Sequence, residues 1–160
     1  MMTQASMSES HELADPTDRS PDNKVAPAAD EPNDHVDQSR AVLIVEDDFL
    51  IAMQAEAALL DAGFRVTGIA TTAEEALTMA KEQKPALAIM DIRLAGRRDG
   101  VEAAGDLFRE LGLRCVFATA HDDLLTRTRA EPFAPLGWLS KPYTMASLTS
   151  VVRASLARPA

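Results

Sequence analysis

From residue 41 onward, short apolar runs alternate with longer segments of mixed character. "AVLIV" (41–45) is continuously apolar and rich in β-branched residues, the signature of a strand covered on both faces. "DFLIAMQAEAALLDAG" comes next, with Phe49, Met53, Leu59 and Leu60 among alanines and Gly63 as a stop, which predicts a helix. "RVTGIA" (65–70) is a second strand. The next helix starts at Thr72, three residues before Glu75 as a capping box requires, and carries Lys81 and Lys84 in its last turns. "PALAIMD" (85–91) is a third strand, and Asp99 with Glu102 repeats the helix-start signal before a run to Gly112. "LRCVFAT" (113–119), the helix "HDDLLTRTRA", "GWLS" (137–140) and a last helix opened by Thr144 and running to about Leu156 complete the pattern.

Five strand–helix alternations with short connections predict an α/β domain with a five-stranded parallel sheet and helices on both faces. The count and length suit the flavodoxin-like (βα)5 arrangement, with strand order 2-1-3-4-5.

Residues 1–40 differ in kind. They hold nine acidic and three basic residues, four of the nine prolines and no aromatic residue, whereas the other 120 hold 16 acidic and 13 basic. So little apolar surface cannot offset the entropy of ordering, so 1–40 are expected to be a disordered acidic extension and 41–158 the folded domain. The chain's start has neither a basic nor an apolar segment of signal-peptide type, and no apolar run approaches a membrane span. A single cysteine, Cys115, excludes an internal disulfide framework. The formal net charge of −9 opposes direct nucleic-acid binding. A cytoplasmic protein is expected.

In open parallel sheets ligands sit at the carboxyl ends of the strands, near the switch point. Those ends read Glu46-Asp47-Asp48, Asp91, Thr119 and Ser140-Lys141-Pro142. Each residue alone has a plain structural explanation: acids cap helices, and Lys141 could be a solvated surface residue. Together they are harder to dismiss, because two like charges about 4 Å apart repel by roughly 4 kcal/mol at an effective dielectric near 20. Clustered carboxylates need counterions. Lys141 supplies one and a hard dication such as Mg²⁺ suits the rest. A metal, an aspartate, a hydroxyl and a lysine in one place point to a phosphoryl ligand.

The pieces "VLIVEDD", "MDIRL", "FATA" and "LSKPY", in this order and spacing, resemble the receiver domain of two-component response regulators over about residues 40–157. That resemblance implies Asp91 as phosphoacceptor and Asp47 as a direct Mg²⁺ ligand. Glu46 would act through water and the backbone carbonyl of Arg93 would be a further ligand. It implies that Thr119 hydrogen-bonds the transferred phosphoryl group, that Lys141 ion-pairs with it, and that Trp138 is the switch aromatic. Asp48 falls outside the pattern.

Phe117-Ala118-Thr119 looks like the FATGUY subgroup of single-domain receivers, with its implied link to general stress signalling. Ala120 replaces the glycine expected next, and the loop after Asp91 lacks the proline that many receivers carry. The implied partners are a histidine kinase or phosphotransfer protein and a downstream protein target, and the only implied turnover is slow self-dephosphorylation. Arg93 and His121, two residues beyond the acceptor and the threonine, are candidates for tuning phosphoryl lifetime. Two rivals stand beside this reading. One is a receiver-fold interaction module working without phosphorylation. The other is a small aspartate-nucleophile phosphatase, which wants a second acid where Arg93 stands.

Overall fold

The structure is a computed structural model that describes residues 37–120 and 123–158. The disorder expected of 1–36 and the role considered for His121 lie outside the described residues. Residues 37–40, expected to belong to the disordered extension, are instead part of the fold. Gln38–Arg40 form a 3-10 turn capped by the Asp37 side chain. Arg40 then donates from Nε to the Gly63 carbonyl at 3.0 Å and lies 4.8 Å above the Phe64 ring. An arginine that satisfies a helix-end carbonyl and covers an aromatic ring has reason to stay ordered, so residues 37–40 belong to the folded part.

Five parallel strands, β1 (Ala41–Val45), β2 (Arg65–Ala70), β3 (Leu87–Asp91), β4 (Cys115–Thr119) and β5 (Gly137–Ser140), form one sheet in the order β2-β1-β3-β4-β5. The register sets Asp91 beside Ala118 and Thr119 beside Ser140, so the polar strand ends share one edge. The helices are α1 (Phe49–Asp61), α2 (Ala73–Gln83), α3 (Gly100–Leu111), α4 (Leu124–Ala130) and α5 (Met145–Leu156).

β1, β3 and β4 are buried at every residue, because successive side chains point to opposite covered faces. Leu43, Val45, Met90 and Phe117 pack with Ala76, Ala80, Ala103 and Leu107 of α2 and α3. Val42, Ile44, Leu87 and Ile89 pack with Ala52, Ala55 and Leu59 of α1 and with Leu148 and Val152 of α5. Cys115 is buried, and burial pushes its thiol up to about 12. Among the described residues no helix is long and apolar enough to cross a membrane.

Ala52, Ala55 and Leu59 carry the packed face of α1, and Phe49, Leu50, Met53 and Leu60 are left exposed, Phe49 by 76%. Two strands are shorter than their apolar runs. Pro85 has no N–H to donate, and Leu113 gives its N–H to the Leu107 carbonyl, finishing α3 instead of joining the sheet.

Capping is met as expected at Asp99, whose carboxylate accepts from Glu102 N while Glu102 accepts from Asp99 N, both at 2.9 Å. Thr72 caps α2, but Glu75 turns back to Thr71 instead, accepting from its N–H at 2.7 Å and its hydroxyl at 2.8 Å.

Candidate functional site

The site is built where β1, β3, β4 and β5 end. Glu46 stays tied to the sheet through its N–H to Ala70, 2.9 Å, and its buried side chain accepts the Asp48 N–H at 3.0 Å. Asp48 turns the other way. Its carboxylate caps α1, accepting from Leu50 N at 3.0 Å and Ile51 N at 3.1 Å, and so it stands apart from the cluster. Asp47, between them, is exposed, and one carboxylate oxygen from each of Glu46, Asp47 and Asp91 lies within 4.8 Å of the others. Oxygen donors from three carboxylates at this spacing are what a hard divalent cation takes.

Lys141 Nζ lies 3.0 Å from Asp91 Oδ1 and 3.4 Å from Glu46 Oε2, so one ammonium bridges two buried carboxylates. Its position is fixed by the Lys141 N–H, which donates to the Thr119 carbonyl at 2.7 Å. Burial lowers the Lys141 pKa, but contact with Asp91 and the charge of Glu46 outweigh it, and the net shift is upward. Burial is the main influence on Glu46. Together with the neighbouring Asp91 it raises that carboxyl to about 7, against the pull of the Asp48 N–H and of Lys141. Burial and the Glu46 charge also raise the Tyr143 phenol.

Asp91 does not aim into the dry core. With Arg93, Thr119 and Lys141 it lines a cleft of about 130 Å³ that also includes Asp123 and Thr126 of the α4 start. The Arg93 N–H donates to Asp91 Oδ1 at 3.2 Å, which orients the carboxylate. Trp138, three residues before Lys141, is not among the residues that line the cleft. It stacks on Phe117, with centroids 4.9 Å apart and an interplanar angle of 21°, under the Arg127 guanidinium at 4.7 Å.

The structure thus brings Glu46, Asp47, Asp91, Thr119, Lys141 and the Arg93 backbone to one strand-end edge, while Trp138 stands outside the cleft lining, stacked on Phe117. Sequence reasoning missed two contributors. Gly100, the first residue of α3, donates its N–H to the Ile92 carbonyl at 2.8 Å and presses against the Asp91 backbone. A Cβ there would stand 2.8 Å from the Asp91 carbonyl carbon and closer still to its oxygen. The glycine directly after the cap Asp99 was the available signal. Asp123 and Thr126 were the other omission, and the acid before "LLTRTR" was the hint.

Residues 42–153 match the response regulator receiver domain, and the chain belongs to that family. It is 36% identical over 122 residues to the phyllosphere-induced regulator PhyR of Methylorubrum extorquens, an alignment covering 75% of this chain and 45% of PhyR. Over 119 residues it is 32% identical to the transcriptional regulatory protein PdtaR of Mycobacterium tuberculosis, covering 74% and 58%. The chain spans about half the length of these curated relatives. Among solved structures, the signal receiver domain of a modulated diguanylate cyclase from Desulfovibrio desulfuricans superposes with a TM-score of 0.66 at 35% identity, covering 72% of this chain and 92% of that one. The response regulator PhyR from Brucella abortus superposes with a TM-score of 0.61 at 26% identity, covering 74% and 50%.

Proposed function

We propose that this receiver domain accepts a phosphoryl group on Asp91 from a phosphohistidine of a histidine kinase or phosphotransfer protein, and signals in the cytoplasm by protein–protein contact or onward transfer. The observation that carries this reading is the Lys141 ammonium shared between Asp91 and Glu46, with Asp91, Thr119 and Lys141 lining one cleft. Glu46, Asp47, Asp91 and the Arg93 carbonyl are the groups assigned to hold Mg²⁺, which when bound adds positive charge and coordination sites for phosphoryl oxygens.

The Asp91 carboxylate oxygen attacks phosphorus in line. The O–P bond forms as the imidazole N–P bond breaks, and that electron pair returns to the ring. The Arg93 N–H holds the attacking carboxylate in orientation. Lys141 moves from balancing two carboxylates to balancing the phosphoryl oxygens, so its charge is in place before the reaction starts. Thr119, lining the same cleft, then hydrogen-bonds the transferred group. Exposed Phe49, Leu50 and Met53 open α1 immediately beyond the acidic cluster and supply apolar surface for a donor protein at the rim. The Phe117-Ala118-Thr119 strand end supports a place in general stress signalling.

Asp91→Asn is expected to abolish labelling by a small-molecule phosphodonor in Mg²⁺. Undiminished labelling of that variant removes the assignment. Steady multiple turnover of a phosphomonoester by the unaltered protein would favour the phosphatase rival instead.

A further inference from the structure

We propose that Arg98 is a positioning residue for the cation site: its ion pair with Asp106 of α3 holds the β3–α3 loop, and with it the Arg93 carbonyl, in the shape that binds a divalent cation. The inference rests on the reading of Glu46, Asp47, Asp91 and the Arg93 carbonyl as the groups that hold Mg²⁺.

The loop that follows Asp91 is poorly restrained by its own sequence. It carries no proline, and it contains Gly96, which sits in the left-handed region at φ 91°. Both features leave a backbone more conformations to lose on ordering. The two ends of the loop are nevertheless joined, because the Gly100 N–H donates to the Ile92 carbonyl at 2.8 Å. Residues 93–99 therefore form a closed excursion that begins with Arg93. Ala95, Gly96 and Arg97 are exposed, so burial does not fix its crest.

Two side chains fix its arms. Leu94, half-buried, packs on the core cluster of the α2–α3 face. Arg98 lies along α3, with Nη1 2.6 Å from Asp106 Oδ2 and Nη2 donating to the Glu102 carbonyl at 3.4 Å. A planar guanidinium meets a carboxylate and a carbonyl at once, which a compact ammonium does less well. Contact with Arg98 is the largest influence on Asp106 and, together with Arg109, holds its carboxyl below the ordinary range, so it is charged at neutral pH. Arg109 takes the other oxygen, Oδ1, at 3.1 Å and holds the carboxylate on the helix. The same helix abuts the Asp91 backbone through Gly100. Arg98 thus ties the far arm of the loop to the element that positions Asp91. A ligand group ordered before the cation arrives spares binding the entropy of ordering it.

The sign of the effect identifies its cause. Arg98 and Mg²⁺ are both positive, so loss of the arginine's charge alone would favour the cation. Loss of positioning does the opposite.

Calorimetric titration of the full chain with Mg²⁺ tests this. Arg98→Met is expected to weaken binding by about threefold or more, below the roughly ten- to hundredfold typical of residues bonded directly to a metal ligand. Lys81→Met removes the same charge from another ion pair, that of α2 with Glu110 of α3 at 2.7 Å, and should not weaken binding. In an Asp106→Asn background, where the tie is already cut, Arg98→Met should bring no further loss. Without the cation, NMR backbone order parameters at 94–97 should fall in Arg98→Met and hold in Lys81→Met. Asp47→Ala should abolish measurable binding. Asp47-dependent binding that Arg98→Met leaves equal or tightens overturns the inference while the cation-site reading stands. So does an equal loss in Lys81→Met, an equal loss from Arg98→Met in the Asp106→Asn background, or unchanged order at 94–97. Absence of Mg²⁺ binding, or binding that Asp47→Ala does not alter, overturns the cation-site reading and the positioning role with it.

Discussion

Replacing Gly100 with alanine separates two physical effects of opposite sign. Gly100 opens α3 and has no left-handed backbone angle, so alanine brings no torsional strain, and helix propensity alone favours it by up to about 1 kcal/mol. Packing predicts the reverse. The new methyl would stand 2.8 Å from the Asp91 carbonyl carbon and 2.9 Å from Ile92 Cα, where ordinary contact begins at 3.4 Å. These are backbone atoms at the end of a buried strand and cannot rotate out of the way as a side chain does. Overpacking typically costs 1–3 kcal/mol, and a clash confined to backbone belongs at about 3. After the propensity gain, the net loss is about 2 kcal/mol, or roughly 6–10 °C in Tm for a domain of this size. Urea and thermal denaturation followed by far-UV circular dichroism give the number. A variant at least as stable as the parent would mean that α3 does not abut Asp91, and the account of how Asp91 is positioned would fall.

Two further predictions concern the cluster. With its pKa raised to about 7, Glu46 binds more protons in the folded than in the unfolded chain between the ordinary carboxylate range and neutrality. Its contribution is therefore full below that range and is lost as pH rises through about 7. Glu46→Gln should raise the Tm at pH 8 in EDTA, leave it nearly unchanged at pH 4, and weaken Mg²⁺ binding; a lower Tm at pH 8 contradicts the buried-acid account. Lys141→Met removes an ammonium that competes for Asp91 and Glu46, so calorimetric titration should show Mg²⁺ binding tighter by severalfold. Unchanged or weaker binding there would show that the lysine does not occupy the acids' charge in the free protein.

What could be read without coordinates was local. β2 and β5 begin and end where "RVTGIA" and "GWLS" do, and Asp99, Thr72 and Thr144 cap their helices, because capping is decided within four residues. Strand-end convergence was legible because a parallel sheet orders its carboxyl ends regardless of side-chain detail. The misses come from contacts between distant residues. Nothing local told that Ala52, Ala55 and Leu59 would take the packed face of α1 and leave Phe49 outward, or that Arg40 would dock on Phe64. The Gly100 contact with Asp91 spans nine positions and depends on the angle at which α3 meets β3. The expected α4 included Asp123, which instead caps it, its side chain accepting from Leu125 N.

Asp91 has neighbours of unequal compliance. Its main chain touches that of Gly100 with no room to give, whereas the start of α4, which lines the cleft beside it, belongs to a seven-residue helix that Arg129 ties to Asp99. On the proposed reading of Asp91 as acceptor, a group added to it meets a rigid neighbour on one side and a short helix on the other, so the proposed chemistry acquires a direction.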